Sequence, residues 1–548
     1  MMQSRTVSPA IYFSDESYSI TGKKLMGRQS AGDAFLRAYL HYFADEKVSA
    51  LLYSPKDADA LGAKLTQLNH NAGMNAVTMG QLSQLHGDTL YVPSPGIEDI
   101  AWHRMSVNER QFSLCGVFHT TATHRIMDVI TSLPTAPVRP WDAIICTSQS
   151  VQKSVQTIFA EQAEYLKWKV GATRFELPQL PVIPLGVHTA DYQFDATVSE
   201  SSREKLGIAR EDIVVLFVGR LSFHAKAHPY PMLAGLEQAS QQVNRKIHLV
   251  QCGWFANDAI ADAFADAGKE IAPNVIHHFL DGREANNRNT AWSCADIFVS
   301  LSDNIQETFG LTPIEAMAAG LPCIVSDWDG YKDTVTDGVT GFRIPTIAPA
   351  PLADGVKLAK NYALGIDNYD KYCGYACQLV GIDIGKFTDA LVTLITKPDV
   401  RKSMSEKALA SAKQTFEWQN VMRQYVDLWE QLGHLRRNTL SAFGSNPLDV
   451  PAQRMDPFKT FNDYPTVHLN DDTQLTLERE LSEDTYQHIV NMGIFNYAKR
   501  ELPSFADCRT ILTKFKMNEP RTLQNLPEFK ARNKTVLWLI KIGCLSFS

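Results

Sequence analysis

Ile213-Val214-Val215-Leu216-Phe217-Val218-Gly219-Arg220 is an unbroken apolar run that ends in a glycine and then a cation. A half-buried strand alternates apolar and polar residues, and this one does not. Both of its faces are therefore covered, as in a strand inside a parallel sheet layered between helices. Similar short runs follow at 247–250, 275–279, 297–299 and 323–325, separated by amphipathic stretches of helical length. Upstream, strands are expected at 11–14, 50–53, 89–92, 114–118 and 143–146, and Val182-Ile183-Pro184-Leu185-Gly186-Val187 closes that half. The polar stretch 197–204 reads as a linker between the two. The alternation is that of parallel α/β layers, with ligands expected in a cleft beyond the carboxyl ends of the strands.

At 548 residues the chain is too long for one hydrophobic core. Four parts are expected: a Rossmann-like unit over 1–195, a second over 205–397, helices returning towards the first over 398–437, and an accessory helical extension over 441–548. The returning helices carry Phe416, Trp418, Val421, Tyr425, Leu428 and Trp429 at near-helical spacing, which reads as packing. A net charge of -7 argues against wholesale nucleic-acid binding. No apolar run is long enough to span a bilayer, and Met1-Met2-Gln3-Ser4-Arg5 opens no signal-peptide core, so a cytoplasmic protein is expected. Cys115, Cys146, Cys252 and Cys323 sit in apolar runs, and Cys373 with Cys377 has no second Cys/His pair at zinc spacing. Buried thiols, no disulfide framework and no metal site are the expectation.

The chemistry concentrates in Glu307-Thr308-Phe309-Gly310-Leu311-Thr312-Pro313-Ile314-Glu315. Thr312 suits an N-cap, Pro313 the first helical position, and Glu315 completes a capping box; Gly320 and Pro322 end the helix. A helix starting at a strand exit offers free N–H groups and partial positive charge to a phosphate, and Gly310 is expected to let the ligand approach the backbone. Glu307 lies before the helix, placed for sugar hydroxyls, and Glu315 one turn in, placed for a ribose diol. Arg220 and Lys226 follow the strand 213–218, where two cations would neutralise a diphosphate.

Val218-Gly219-Arg220-Leu221 with Lys226, and Glu307 to Glu315 around Gly310, resemble the donor site of the family-4 retaining glycosyltransferases. The resemblance covers roughly 10–436 and is strongest over 220–345. It implies the GT-B fold, two facing Rossmann-like domains, here with the C-terminal helical extension. It also implies that Arg220 and Lys226 hold the diphosphate, that Glu307 and the backbone of Phe309, Gly310 and Leu311 hold the transferred sugar, and that Glu315 holds the ribose. Gly27-Arg28-Gln29-Ser30-Ala31-Gly32 stands where the family has its glycine-rich loop, with Gly22 before it and a helix from about 33 to 44 after it. Gly27 and Gly32 are thereby candidate donor contacts, although the family's paired glycines are missing. His119, in Phe118-His119-Thr120, falls where the family carries an active-site histidine. Asp327-Trp328-Asp329 spells the D-x-D pattern of another glycosyltransferase fold, but stands where family-4 members have a cleft-lining loop.

The implied partners are a nucleotide-diphosphate sugar as co-substrate and a glycan or lipid-linked acceptor, without a cofactor and without nucleic acid. Bacterial envelope or exopolysaccharide synthesis is the context implied. A sugar phosphorylase or nucleotide-sugar epimerase on the same architecture, and a silent sugar-nucleotide sensor or scaffold, stay open as alternatives. In the extension, 522–526 and 536–543 are loosely similar to a winged-helix end, and Lys514, Lys516, Arg521, Lys530, Arg532, Lys534 and Lys541 outnumber nearby acids. A basic face beside an apolar stripe fits peripheral contact at the inner face of a membrane, or equally a helical cap or dimer contact.

Overall fold

The computed structural model describes residues 8–19, 27–439 and 450–548. Gly22 of the expected loop, the opening Met1-Met2-Gln3-Ser4-Arg5, and Ser441 and Pro447 of the expected domain boundary lie outside them. The chain forms two compact units, Met1–Pro451 and Ala452–Ser548.

The first unit contains two six-stranded sheets. One is built from β1 (Ala10–Phe13), β2 (Val48–Leu52), β3 (Met74–Thr78), β4 (Thr89–Tyr91), β5 (Ser113–Val117) and β6 (Ala143–Ile145) in the order β3-β2-β1-β4-β5-β6. The other comprises β7 (Ile213–Val218), β8 (Ile247–Gly253), β9 (Ile276–Asp281), β10 (Ile297–Ser300), β11 (Cys323–Ser326) and β12 (Gly341–Ile344) in the order β12-β11-β10-β7-β8-β9. Neighbouring strands are parallel throughout, with Ile297 opposite Val215 and Phe298 opposite Leu216 where β10 meets β7. The strand order reverses between β10 and β7, and at such a switch point the loops beyond the strands part to leave a crevice. These are the two Rossmann-like layers expected. β7 is covered on both faces, Val214 and Leu216 entering one core cluster and Ile213, Val215 and Phe217 another.

Two local expectations fail, and two strands had no expectation. The stretch 197–204 lies inside a helix, Ala196–Lys205, capped by the Asp195 side chain and tied down by Arg203, which reaches Asp212 O at 2.6 Å and Asp296 at 3.2 Å. Its polar residues are the wet face of a helix. Gly27–Gly32 is the start of helix Gly27–Tyr42, so the expected loop is helical there. β3 and β12 are partly polar edge strands and carry no long apolar run.

The halves are joined twice at one place. Val187 N donates to Phe416 O at 2.7 Å and Trp418 N to Val187 O at 3.1 Å, so the outgoing and returning chains pair. A π-helical turn, Ala412–Phe416, precedes this crossing. Helix Trp418–Asn438 then packs Trp418, Val421, Tyr425, Leu428 and Trp429 into the core of the first half, with the Phe35 ring 5.6 Å from Tyr425. All nine cysteines are buried free thiols.

The second unit is not purely helical. Arg521–Thr522, Gln474–Leu477 and Leu545–Phe547 form a three-stranded antiparallel sheet with the middle segment central. Helices Glu483–Asn491, Phe505–Leu512 and Arg532–Lys541 complete it around Leu475, Ile511, Trp538 and Leu539. Its basic residues are partly neutralised: Arg532 pairs with Asp471 and Glu528, and Lys534 with Glu501.

One buried ion pair fixes β5 and β6. Arg104 meets Asp142 through two bonds of 2.6 and 2.7 Å, both side chains fully buried. Asp142 also accepts from Leu114 N and Arg139 N, each at 2.8 Å. Arg104→Ala is expected to destabilise the first unit by about 3–5 kcal/mol, since it strands a buried carboxylate. Urea unfolding measures this. An added Asp142→Leu is not expected to restore stability, because the Leu114 and Arg139 amides then lose their acceptor.

Candidate donor site

Beyond β7 the chain passes through Gly219, at φ 151°, to Arg220. A side chain on the neighbouring Gly253 would lie 1.8 Å from Gly219 O, so the ends of β7 and β8 approach closely because one of them is glycine. The Arg220 guanidinium donates to Ala225 O at 2.7 Å and to Gln306 Oε1 at 3.4 Å, both neutral acceptors. Lys226 instead forms an ion pair with Glu307. Burial pushes the Glu307 carboxyl up, but Lys226 and the amides of Thr308 and Phe309 more than offset it, leaving the group below the usual carboxylate range.

Helix Leu311–Ala318 begins at Gly310, one residue pair earlier than its capping signals imply. Gly310 takes φ 85°, and Thr312 lies inside the helix with its hydroxyl buried and unpartnered, so no capping box forms. The reason is Tyr331. A Cβ on Gly310 would sit 2.1 Å from its ring, and one on Gly330 would sit 2.4 Å from Phe309 Cα. Gly310 is therefore bare because a tyrosine packs on it, and not only to admit a ligand. Phe309 is buried in the core beneath the helix, leaving Leu311 at its first turn. Glu315 is freed from capping. Burial raises its carboxyl above the ordinary value, while the Tyr192 hydroxyl, Arg288 and Lys226 act to lower it.

The first half meets this site at its own strand ends. Thr308 Oγ1 donates to His119 O at 3.1 Å. Burial, helped by nearby Arg28, pushes the His119 imidazole down to about 4, so it is neutral at pH 7. Gly27 opens the helix that carries Arg28, with open space where its side chain would be; Gly32 is needed for packing, since a Cβ there would meet Ser17 O at 2.1 Å. Arg220, Lys226, Glu307, Glu315 and the backbone of Phe309, Gly310 and Leu311 thus gather on one side, with His119 across the seam, while Gly32 faces its own helix neighbour.

The metal-like triplet does not converge. Asp327 pairs with Arg343 at 3.5 Å, whereas Asp329, at φ 43°, turns into the seam. There Ser148 Oγ lies 2.7 Å from Thr308 O and 3.4 Å from Asp329 Oδ1. Burial first, then Glu307, raises the Asp329 carboxyl well above its ordinary value, while the hydrogen bond from Ser148 acts to lower it. Ser150 Oγ donates to Asp329 O at 3.2 Å and Gln149 N to Asp333 at 2.7 Å, so the start of helix Gln149–Val170 rests on this loop. Ser148, Tyr331, Tyr192 and Arg288 were not legible as site residues, although Ser148 is a recognisable N-cap, whereas Asp329 falls in the cleft-lining loop that the resemblance implies.

Residues 198–376 match the family described as Glycosyl transferases group 1. The chain is 27% identical over 161 residues to a D-inositol 3-phosphate glycosyltransferase of Corynebacterium kroppenstedtii, covering 29% of this chain and 35% of that protein. It is 27% identical over 233 residues to the enzyme of that name from Corynebacterium glutamicum, covering 42% and 46%. The matches thus span under half the length of these curated relatives. Among solved structures, Anabaena HepE in complex with UDP superposes with a TM-score of 0.50 at 16% identity, over 77% of this chain and all of that one. The fold is GT-B.

Asp329→Asn tests the raised pKa of this carboxyl. A raised folded pKa means that stability falls as pH rises above the ordinary value of 3.8. The asparagine variant is therefore expected to melt higher than wild type at pH 7, with the gain fading as the pH falls towards 3.8. Equal melting temperatures at pH 7 would contradict it.

Proposed function

We propose that the chain is a retaining, metal-independent glycosyltransferase of the family-4 type, moving a sugar from a nucleotide-diphosphate sugar to a glycan or lipid-linked acceptor. Bacterial envelope or exopolysaccharide synthesis, at the cytoplasmic side of the membrane, is the setting we favour. The observation that carries the reading is the grouping of Arg220 and Lys226 opposite the N-terminus of helix Leu311–Ala318, with Glu307 and Glu315 beside it. The UDP named with HepE makes UDP-sugars the first donors to try.

In this reading Arg220, whose partners are neutral, takes the diphosphate together with the helix N-terminus. Lys226 is shared between diphosphate and Glu307, which frees Glu307 to accept from sugar hydroxyls. Glu315 is placed for the ribose diol. The bond from the anomeric carbon to the diphosphate oxygen breaks as the acceptor oxygen bonds to the same face, and the acceptor's proton passes to the departing diphosphate. His119, being neutral, accepts or donates a hydrogen bond to the sugar without adding charge.

Arg220→Ala or Lys226→Ala removes a charged hydrogen bond worth about 1.5–3 kcal/mol. Turnover is expected to fall roughly 10- to 150-fold with the fold intact. Wild-type rates in a folded Arg220→Ala protein would refute the assignment, as would complete inhibition by EDTA reversed by magnesium. Glycan breakdown that requires inorganic phosphate would identify a phosphorylase instead, and donor binding without hydrolysis or transfer would identify a sensor.

The state of His119 has its own consequence. Turnover is expected to show no inflection attributable to this imidazole between about pH 5 and 8. An inflection near 6.5, the ordinary imidazole value, that disappears in His119→Gln would show a charged histidine at work.

A further inference from the structure

Thr346–Ile347 and Gly381–Ile382 pair antiparallel beyond β12 and close off an excursion of the second half. The excursion holds two short helices, Gly355–Ala363 and Tyr369–Cys377. Most of the first is exposed, and Tyr362 is the side chain it buries. A helix of nine residues is marginal on its own, so packing around Tyr362 has to hold it.

The second helix lies on the loop that runs from Arg220 to Lys226. A Cβ on Gly374 would come 2.9 Å from His224 Cβ, and Cys377 Sγ lies 3.8 Å from Phe223 O. The excursion is therefore seated on the donor side.

Tyr362 reaches from this seat to the first half. Its hydroxyl accepts from His124 N at 3.0 Å and donates to Ala122 O at 3.3 Å. One hydroxyl thus serves both backbone groups, much as a neighbouring strand would. The His124 ring stands edge-on to the Tyr362 ring with centroids 3.7 Å apart. Tyr372 stacks on the same ring at 4.2 Å, with the planes 5° apart. Tyr369 is hydrogen-bonded to Thr120. Tyr362 is 6% exposed and Ala122 4%, so water does not readily replace these bonds.

His119 begins the same loop, and Thr308 Oγ1 donates to its carbonyl at 3.1 Å. Thr308 thus holds one end of the loop and Tyr362 the other, both from the second half. The first half carries the imidazole, and the second half sets where it stands.

We propose that Tyr362 is a positioning residue: its hydroxyl clamps the loop from Thr120 to His124 and so sets His119 against the donor. The inference rests on the donor reading of Arg220, Lys226 and helix Leu311–Ala318.

Two substitutions break the clamp from opposite sides. Tyr362→Phe removes the hydroxyl and keeps the ring stacked on Tyr372. His124→Pro removes the N–H that the hydroxyl accepts from, together with the ring beside it. Residue 124 opens helix His124–Ser132, and Thr123, at φ -81° and ψ 147°, already has the backbone that a following proline requires.

The first readout is hydrogen exchange of the full chain. In Tyr362→Phe the amides of 119–124 should exchange about tenfold faster or more, and those of 311–318 at the wild-type rate. The second is UDP release from a panel of UDP-sugars, UDP-glucose first. Each single variant should lower kcat about tenfold with KM for the donor within about twofold, and an unchanged thermal shift on adding UDP. The double variant should fall no further than either single one, because both break the same contact. Wild-type exchange in Tyr362→Phe would overturn the clamp, and wild-type kcat with a loosened loop would overturn the positioning role. So would losses that multiply in the double variant, or a raised KM at constant kcat. Wild-type protein that neither shifts with UDP nor releases it would overturn the donor reading and this role with it. Wild-type protein that does both, beside variants that match it, would overturn this role alone.

Discussion

Buried Glu307 and half-buried Asp329 and Lys226 form a group in which a cation lies against one carboxylate and a second carboxylate stands close behind. Desolvation makes two neighbouring negative charges far costlier than one. The ammonium sits against Glu307 and holds its carboxyl below the usual range, while burial and Glu307 raise that of Asp329. Ser148 Oγ donates to Thr308 O and lies 3.4 Å from Asp329 Oδ1, contacts that run from one half of the unit to the other. Closure of the seam and the charge state of the site are therefore one problem. A diphosphate entering here would compete with Glu307 for Lys226, and Arg220, whose acceptors among the described residues are neutral, is a cation placed to offset it.

Glycine makes this packing possible. Gly310 and Gly330 stand on either side of a contact in which the Tyr331 ring lies on one backbone and the Phe309 backbone on the other. Tyr331 in turn places its hydroxyl 2.7 Å from Ser300 Oγ and 3.5 Å from Glu307 Oε2. The turn into helix Leu311–Ala318 is thus set by a ring packed from the β11 side, which explains why the helix opens on a left-handed glycine although a threonine with good capping chemistry follows two residues later.

The architecture was legible because β7 and β10, apolar on both faces, announce a parallel sheet in the residues themselves. β3 and β12 lie at sheet edges, need no continuous apolar run, and left no such mark. The stretch 197–204 misled because helix Ala196–Lys205 is held by capping and by Arg203 more than by an apolar stripe, having Ser202 as its buried residue. At the site, the residues around Gly310 and Arg220 could be found because each adjoins its strand in sequence. Ser148 comes from the first half and Tyr331 from the loop after β11, and what joins Ser148 to that loop is hydrogen bonding across the seam, which no local pattern encodes. The small sheet of the second unit left no mark in the sequence for a related reason: its strands are two to four residues long and draw their order from Leu475, Leu477 and Leu545 packing under helix Arg532–Lys541.

Helix Gln149–Val170 combines two environments. Its first turn, capped by Ser148, lies in the buried seam, and its last turns stand clear of the domain. The helix dipole favours negative charge at its start, where Asp333 accepts from Gln149 N, and positive charge at its end, where Lys167 and Lys169 stand. The same arrangement that seats the helix on the second half leaves cations at the exposed end. The Ser148 cap in the seam and an apolar hollow beside Phe159 thus stand on one continuous helix about 33 Å long, at about 1.5 Å per residue.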